Sequence, residues 1–268
     1  TNLGLAEANG DYLALLDHDD VLQLNALYEM AKAIGETGAD FLYSDEIVLG
    51  PDLKTLREYH FKPDFSPDTL RGCNYISHFS VFSRALLQSA GGGEDRRYDG
   101  AQDFDLILRL TEKAKRVHHI PKVLYAWRSH ARSTASDISA KPYAIEAGAA
   151  AIRAQLDRLG LRGEVEPQEG GPGSYRVRYA LTGRPLVSVL IPNRDHVEDL
   201  RRCLDSLAAK AGYRELEILV LENNSTEAAT FAFYRDELPN YGNCRLVTYR
   251  GPFNFSAINN LGAREAKG

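Results

Sequence analysis

The sequence has few cysteines, no long apolar run and no excess of basic residues, and each shortage excludes a class of protein. Its 268 residues include three cysteines, Cys73, Cys203 and Cys244, which lie far apart and lack the spacing of a metal site. We therefore expect reduced thiols in a cytoplasmic protein. No run approaches the ~20 apolar residues that a membrane span needs. The formal net charge of −5 provides no electrostatic footprint for nucleic acid.

Glycine-rich phosphate loops are also missing, since neither a P-loop nor a dinucleotide fingerprint follows the strand that begins near Leu186. A nucleotide would have to be held by polar side chains at strand ends and by a metal. Hydrophobic residues make up 44% of the chain and charged residues 26%, which is typical of a globular protein. The length suffices for one large or two modest domains.

The chain is organised around an apolar stretch that a cluster of acids follows. Residues 12–16 predict a strand buried on both faces of a parallel sheet, and Asp17, Asp19 and Asp20 come directly after it. Ligands of α/β sheets bind outside the carboxyl ends of the strands, and dense oxygen ligands suit Mg²⁺ or Mn²⁺. The alternative is an exposed turn in which Asp19 or Asp20 caps the helix that starts near Leu24.

A second pair of acids stands at the start of an apolar helix. Asp103 and Asp105 follow a loop that contains Gly100. Both acids could complement the helix dipole, or one could serve as a general base. Because the two positions lie about 200° apart around a helix, they cannot both do the same job.

Other polar residues within predicted strands have simpler interpretations. Asp45 and Glu46 interrupt a strand, and we expect them to be solvated, with a role on the acceptor side as the alternative. His118 and His119 point to opposite faces of a strand, so we expect both to be structural. His130 follows the end of that strand region in a loop rich in Ser and Thr.

The two ends of the chain are similar to each other. Residues 1–10 and 259–268 coincide at six of ten positions without gaps. Chance similarity between two helix ends is one explanation, and a tandem repeat cut twice within its unit is the other. The first residue is Thr1 rather than Met, and we expect the chain to be an excerpt of a longer sequence.

The second half of the chain predicts a fresh α/β unit. Apolar strands at 187–191, 216–221 and 245–249 alternate with helices, which indicates βαβ units and a parallel sheet. Between the two halves, a helix at 141–159 and a hairpin that turns at 170–173 predict a connector.

Several motifs together resemble those of the family 2 glycosyltransferases, which have the GT-A fold. They are the strand opening at 185–192, the string at 221–225, a DXD segment at 9–20, a catalytic-base segment at 100–109 and a His motif at 127–130. The sequence is similar to the tandem, rhamnosyltransferase-like type that builds bacterial surface polysaccharides.

The resemblance implies an α/β, Rossmann-like fold with a mixed, mostly parallel sheet and helices on both faces. The motifs occur in the reverse of their order in a single family domain, because the DXD half comes first and the nucleotide half last. Residues 1–135 resemble the metal and acceptor half, 136–184 a helix and hairpin connector, and 185–268 the nucleotide half. We expect the halves to dock as one circularly permuted domain, with the strand at 12–16 beside the first strands of the trailing half. A swapped dimer is the alternative.

Residue roles follow from the same resemblance. Asp17 and Asp19 would hold the metal and the donor diphosphate with support from Asp20, and His130 would complete the metal shell. Asp103 would deprotonate the acceptor hydroxyl. The residues implied for the nucleoside pocket are Pro192, Asn193, Arg194, Asp195, Glu222 and Asn224. Asn193 stands where the family usually has Thr, and Glu222 where it usually has Asp.

The implied function is metal-dependent, inverting transfer of a sugar from a nucleoside-diphosphate sugar to a saccharide or lipid-linked saccharide. The metal is Mg²⁺ or Mn²⁺, and the location is the cytoplasm or the inner face of the membrane. The alternative is a catalytically silent scaffold module of a polysaccharide-assembly protein. Metal-dependent phosphoester hydrolysis is a third interpretation. The sequence, however, has neither a second metal-ligand cluster nor a nucleophile motif that would support it.

Overall fold

The computed structural model describes residues 1–129, 142–168 and 173–268. It divides into two compact units, Thr1–Ala180 and Leu181–Gly268. Both units combine helices with a sheet, so the predicted α/β class is confirmed. Within the described residues, no helix is long and apolar enough to cross a membrane.

The first unit contains a six-stranded sheet, a two-stranded hairpin and six α-helices among its described residues. The strands are β1 (Tyr12–Ala14), β2 (Val21–Leu22), β3 (Phe41–Leu49), β4 (Leu56–His60), β5 (Ser80–Ser83), β6 (Val117–Arg128), β7 (Gly163–Pro167) and β8 (Tyr175–Tyr179). The helices are α1 (Asn2–Glu7), α2 (Ala26–Thr37), α3 (Pro67–Gly72), α4 (Arg84–Ser89), α5 (Gln102–Lys113) and α6 (Pro142–Arg158).

The six-stranded sheet is mixed, with the order β1-β5-β3-β6-β2 and β4 paired to β3. Only the β3–β6 pairing is parallel among the described strands of this sheet, and the other pairings are antiparallel. The expectation of a mostly parallel sheet is therefore wrong for this unit. Strand β5 runs antiparallel to β3 and β6 runs parallel to it. A sequence pattern does not show strand direction.

Strand β1 is shorter and less buried than the sequence predicts. It ends at Ala14, and within it only Leu13 is buried. Leu16 is half exposed. The strand stands at the end of the sheet order, and among the described strands it pairs with β5 alone, so the predicted burial on both faces is wrong. The acids that follow lie in a loop beyond the end of the strand.

The central strand β3 contains two buried acidic residues. Asp45 and Glu46 are each 4% exposed, so the expectation that they are solvated is wrong. Asp45 Oδ1 lies 2.9 Å from His119 Nε2 and accepts a 2.9 Å hydrogen bond from the Lys62 amide. Because β3 has neighbours on both sides, its carboxylates are buried and need such partners. His119 has the structural role expected of it.

Helix α6 and the β7–β8 hairpin, both predicted from the sequence, belong to the first unit. Ile152 and Leu156 of α6 and Val165 of β7 share one buried cluster with Phe104 and Leu108 of α5. The hairpin is antiparallel, as expected.

The second unit has the predicted parallel sheet, with the order β11-β10-β9. Its strands are β9 (Val187–Asn193), β10 (Leu216–Glu222) and β11 (Cys244–Thr248), and its helices are α7 (Val197–Lys210), α8 (Ala228–Asp236) and α9 (Phe255–Glu265). Leu204 and Phe233 pack on Val220 on one face, and Ile258 packs on Leu221 on the other.

Candidate active site

The first unit has an open cavity of about 2160 Å³, and its polar lining includes side chains from three segments that the predicted site residues occupy or adjoin. The segments are the loop after β1, the loop before β5 and the start of α5. Strands β1 and β5 run antiparallel with Ala14 opposite Val81. The residues after β1 therefore lie next to the residues before β5, although the two loops are distant in the sequence.

Asp20 is fixed to strand β6 by both of its carboxylate oxygens. The Tyr125 hydroxyl donates to Oδ2, and the Arg128 amide donates to Oδ1 at 2.7 Å. Burial raises the pKa of Asp20 above its ordinary value, although these hydrogen bonds act in the opposite direction. A carboxylate whose charge is disfavoured by burial is stabilised by a nearby cation.

Asp17, Asp20 and His78 form a cluster that could hold a divalent cation. One ligand atom from each residue lies within 4.8 Å of the others. Asp17 Oδ2 is 3.8 Å from His78 Nε2. Two carboxylates and an imidazole are a donor set that divalent metals accept in proteins. The residues present therefore fit the metal that the resemblance implies.

Asp19 and His130 are the other two expected metal residues. Asp19 lines the cavity, and its Oδ1 lies 3.7 Å from Nδ1 of the exposed His18. His130 lies outside the described residues. Sequence reasoning missed His78 because its relation to Asp17 depends on the β1–β5 pairing, and no local pattern shows that pairing.

Asp103 lies in the first turn of α5 and lines the cavity. Its Oδ2 accepts a 3.2 Å hydrogen bond from Asn74 Nδ2, in the loop that also carries His78. Burial raises the pKa of Asp103 above its ordinary value. This carboxyl group is therefore poised to accept a proton at higher pH than an exposed aspartate.

Asp105, two residues further on, points into the protein and is 0% exposed. Arg109 lies one turn later on α5 and donates to Asp105 Oδ2 from Nε at 2.8 Å. The same guanidinium donates to the carbonyl oxygens of Ala90, Gly92 and Gly93, where the chain leaves α4. Asp105 thus holds α5 to the preceding segment and does not line the cavity.

The acids at the strand ends of the second unit are bound to its own loops. Glu222 is 4% exposed and accepts hydrogen bonds from Ser225 N and Oγ, both at 2.6 Å, and from the Tyr234 hydroxyl at 2.7 Å. Asp195 Oδ1 accepts from the amides of Thr226 and Glu227, both at 2.9 Å. These backbone bonds hold the pKa of Asp195 below its ordinary value.

The remaining residues expected in the nucleoside pocket surround this network. Asn193 Nδ2 donates to the Asp195 carbonyl oxygen at 2.9 Å and to the Tyr234 hydroxyl at 2.7 Å. Asn224 is exposed, with φ +60°, and donates to the Gly251 carbonyl oxygen at 3.0 Å. Pro192 is partly buried and Arg194 is exposed. The structure places all six predicted residues at the carboxyl end of the sheet or in the loops beyond it.

Comparison with known proteins shows a similarity in the first third of the chain. Residues 1–89 match the family model Glycosyl transferase family 2, and this segment contains Asp17, Asp19, Asp20 and His78. The match agrees with the predicted similarity to glycosyltransferases over this segment.

Relatives extend the similarity beyond that segment. Protein y4gI of Sinorhizobium fredii is 39% identical over all of this chain and 30% of its own length. The O-antigen biosynthesis protein RfbC of Myxococcus xanthus is also 39% identical, over all of this chain and 21% of its own length. The chain thus spans less than a third of either relative.

More distant matches cover part of the chain. Hyaluronan synthase of Pasteurella multocida is 27% identical over 136 residues, which are 50% of this chain and 14% of that protein. A crystal structure of residues 1–349 of S. aureus TarS in complex with UDP-GlcNAc has a TM-score of 0.45 and 17% identity. The match covers 58% of this chain and 45% of that TarS fragment.

Proposed function

We propose that the chain transfers a sugar from a nucleoside-diphosphate sugar to a saccharide acceptor, with inversion at the anomeric carbon. The observation that supports this best is that one cavity is lined both by the aspartates proposed to bind the metal and diphosphate and by the aspartate proposed as the base. Asp17 and Asp19 face it from the loop after β1, and Asp103 faces it from the start of α5.

Asp103 is the proposed general base. It accepts the proton of the acceptor hydroxyl as the hydroxyl oxygen attacks the anomeric carbon and the bond to the nucleoside diphosphate breaks. Positioned proton transfer of this kind contributes about 10²–10⁴-fold to a rate. Asn74 donates to one carboxylate oxygen and so orients Asp103 for the transfer.

Asp17 and Asp20 are the proposed holders of the metal, with Asp19 beside them at the donor diphosphate. A bound divalent ion would offset the negative charge that develops on the leaving diphosphate. The Tyr125 hydroxyl and the Arg128 amide hold Asp20 in place for that role. His130 stays a predicted member of this shell.

The donor nucleoside is assigned to the second unit, at Pro192, Asn193, Arg194, Asp195, Glu222 and Asn224. Glu222 and Asp195 already accept hydrogen bonds from their own loops, so their proposed role is to shape the pocket walls. The docking of the two halves as one permuted domain remains a prediction. Separate expression and co-purification of residues 1–180 and 181–268 tests it.

The similarity to RfbC and to hyaluronan synthase supports a polysaccharide as the product, and we assign the chain to bacterial surface polysaccharide synthesis. The acceptor is then a growing saccharide, free or linked to a lipid. The proposed location is the cytoplasm or the inner face of the membrane, where nucleotide sugars are made.

Thermal unfolding with a panel of nucleotide sugars tests the proposal. We expect one donor to raise the melting temperature of the chain only when Mn²⁺ or Mg²⁺ is present, and Asp17→Asn to remove that increase. Asp157→Asn is a matched control, since Asp157 is an exposed aspartate on α6, away from the cavity. If no donor stabilises the chain with either metal, the result contradicts the proposed transfer and favours the scaffold alternative.

A further inference from the structure

We propose that His78 is a nitrogen ligand of the metal and gives the site a preference for a transition-metal ion such as Mn²⁺ over Mg²⁺. The inference rests on the proposed function, because it concerns the same metal. It assigns to the loop before β5 a role that the sequence motifs place elsewhere, at His130.

The separation of the side chains supports a bridging ion. His78 Nε2 and Asp17 Oδ2 lie 3.8 Å apart, and Asp20 completes a cluster within 4.8 Å. A direct N–H···O hydrogen bond is about 3.2 Å or shorter. Two ligands that each lie about 2.1 Å from one ion can be up to ~4.2 Å apart. The 3.8 Å gap is therefore too long for a hydrogen bond and suits a shared cation.

The imidazole is held in position by its ring contact. His78 stacks on Tyr125 with the ring centroids 4.8 Å apart and an interplanar angle of 10°. The hydroxyl of the same tyrosine donates to Asp20. One residue of β6 thus sets the position of two of the three ligands relative to each other.

The backbone of the His78 loop is held by a buried cation. Lys62 Nζ donates to the carbonyl oxygens of Ile76, at 2.6 Å, and of His78. The Lys62 side chain is 3% exposed, and Glu46 pairs with it at 3.5 Å. A buried lysine is costly unless it is paired and hydrogen-bonded. Its two carbonyl contacts fix the backbone at Ile76 and at His78.

An imidazole ligand also predicts which ions bind well. Mg²⁺ takes oxygen ligands almost exclusively, whereas first-row transition ions accept nitrogen. Loss of a group that only supports a ligand typically lowers metal affinity about 10–100-fold. Loss of the ligand itself should cost at least about 10-fold for Mn²⁺ and much less for Mg²⁺.

The test uses Mn²⁺ alone, with the chain labelled with ¹⁵N-histidine or unlabelled. Pulsed electron paramagnetic resonance of bound Mn²⁺ should show coupling to a histidine nitrogen that changes with the label. We expect His78→Asn to remove this coupling, or to reduce it if His130 is a second nitrogen ligand, and to weaken Mn²⁺ binding, measured by calorimetry, at least about 10-fold. His18→Asn is the matched control, because His18 is exposed and adjacent to Asp17 but outside the cluster.

Each other outcome overturns the inference. Bound Mn²⁺ without nitrogen coupling in the unchanged protein indicates ligands with oxygen atoms only. Coupling that disappears in His130→Asn or His18→Asn, and persists in His78→Asn, assigns the nitrogen to another residue. Absence of Mn²⁺ binding also contradicts the inference. Stabilisation by donor sugars, measured separately, decides whether the proposed function still stands in these cases.

Discussion

The acids that follow the strands are used differently in the two units. In the first unit, Asp17 and Asp103 face a cavity. Within the part of the chain that the structure describes, Asp103 has one side-chain donor, Asn74. In the second unit, Glu222 and Asp195 accept several hydrogen bonds from the loops beside them. The first group is available to a ligand, whereas the second group holds its own loops together.

The pKa values of acids in the two units are shifted in opposite directions, because the acids differ in the number of hydrogen-bond donors around them. Burial raises the pKa of Asp20 and of Asp103, whereas backbone amides lower the pKa of Asp195. A carboxylate surrounded by donors is already stabilised in its charged form. One that is desolvated without enough donors gains from a cation or from a proton. This difference separates Asp20 and Asp103 from Asp195.

The largest expected effect is on catalysis. Asp103→Asn should lower the transfer rate about 10²–10⁴-fold, because the amide cannot accept the acceptor proton. Donor binding should stay unchanged. Transfer from the stabilising donor is measured with Asp99→Asn as the control, since Asp99 is exposed in the preceding loop. Equal rates for Asp103→Asn and the control would show that another group is the base.

The neighbouring acid should affect stability instead. Asp105→Asn breaks a buried pair with Arg109, which typically costs about 3–5 kcal/mol. Urea unfolding measures the loss, and the exposed Asp157→Asn should change the free energy of unfolding by no more than about 0.5 kcal/mol. A stable Asp105→Asn protein that cannot transfer sugar would reverse the roles of Asp103 and Asp105.

In the second unit, Glu222→Ala should act through folding. The substitution leaves the buried Tyr234 hydroxyl without its acceptor and frees the Ser225 amide, a cost of about 1–3 kcal/mol. Hydrogen exchange should then increase in the loop that follows β10. Glu227→Ala is the control, because Glu227 is exposed and its side chain makes no capping bond to α8. Unchanged exchange after Glu222→Ala would contradict the structural role.

The smallest expected effect is a gain in stability from the loss of the Asp103 charge. The folded protein holds the Asp103 proton more tightly than the unfolded chain, because burial raises its pKa above the ordinary value of 3.8. Stability therefore falls as pH rises from that value through the raised pKa, and the penalty persists at neutral pH.

Asp103→Asn removes this penalty. The variant should melt slightly above the unchanged protein at pH 7, and the difference should disappear as pH falls below 3.8. Calorimetry at a series of pH values measures it. A variant that is less stable at pH 7 would place Asp103 with the structural acids.

Much of the fold could be predicted from periodicity alone. The parallel sheet of the second unit, helix α6 and the β7–β8 hairpin follow from apolar spacing and turn residues. The mostly antiparallel pairing in the first unit could not be predicted, because the pairing of β5 with β3 depends on how distant segments meet. The burial of Asp45 and Glu46 has the same cause, since neither residue interrupts the strand once its neighbours are in place.

By itself, the sequence determined which chemical groups are present and which elements carry them: acids after β1, an acid pair at the start of α5, and polar loops after the strands of the second unit. Only the tertiary structure decided which of those groups meet. It placed His78 beside Asp17, turned Asp103 toward the cavity and Asp105 away from it, and surrounded Glu222 with donors. The physical reason is that periodicity is local, whereas burial and electrostatics depend on contacts between residues far apart in the chain.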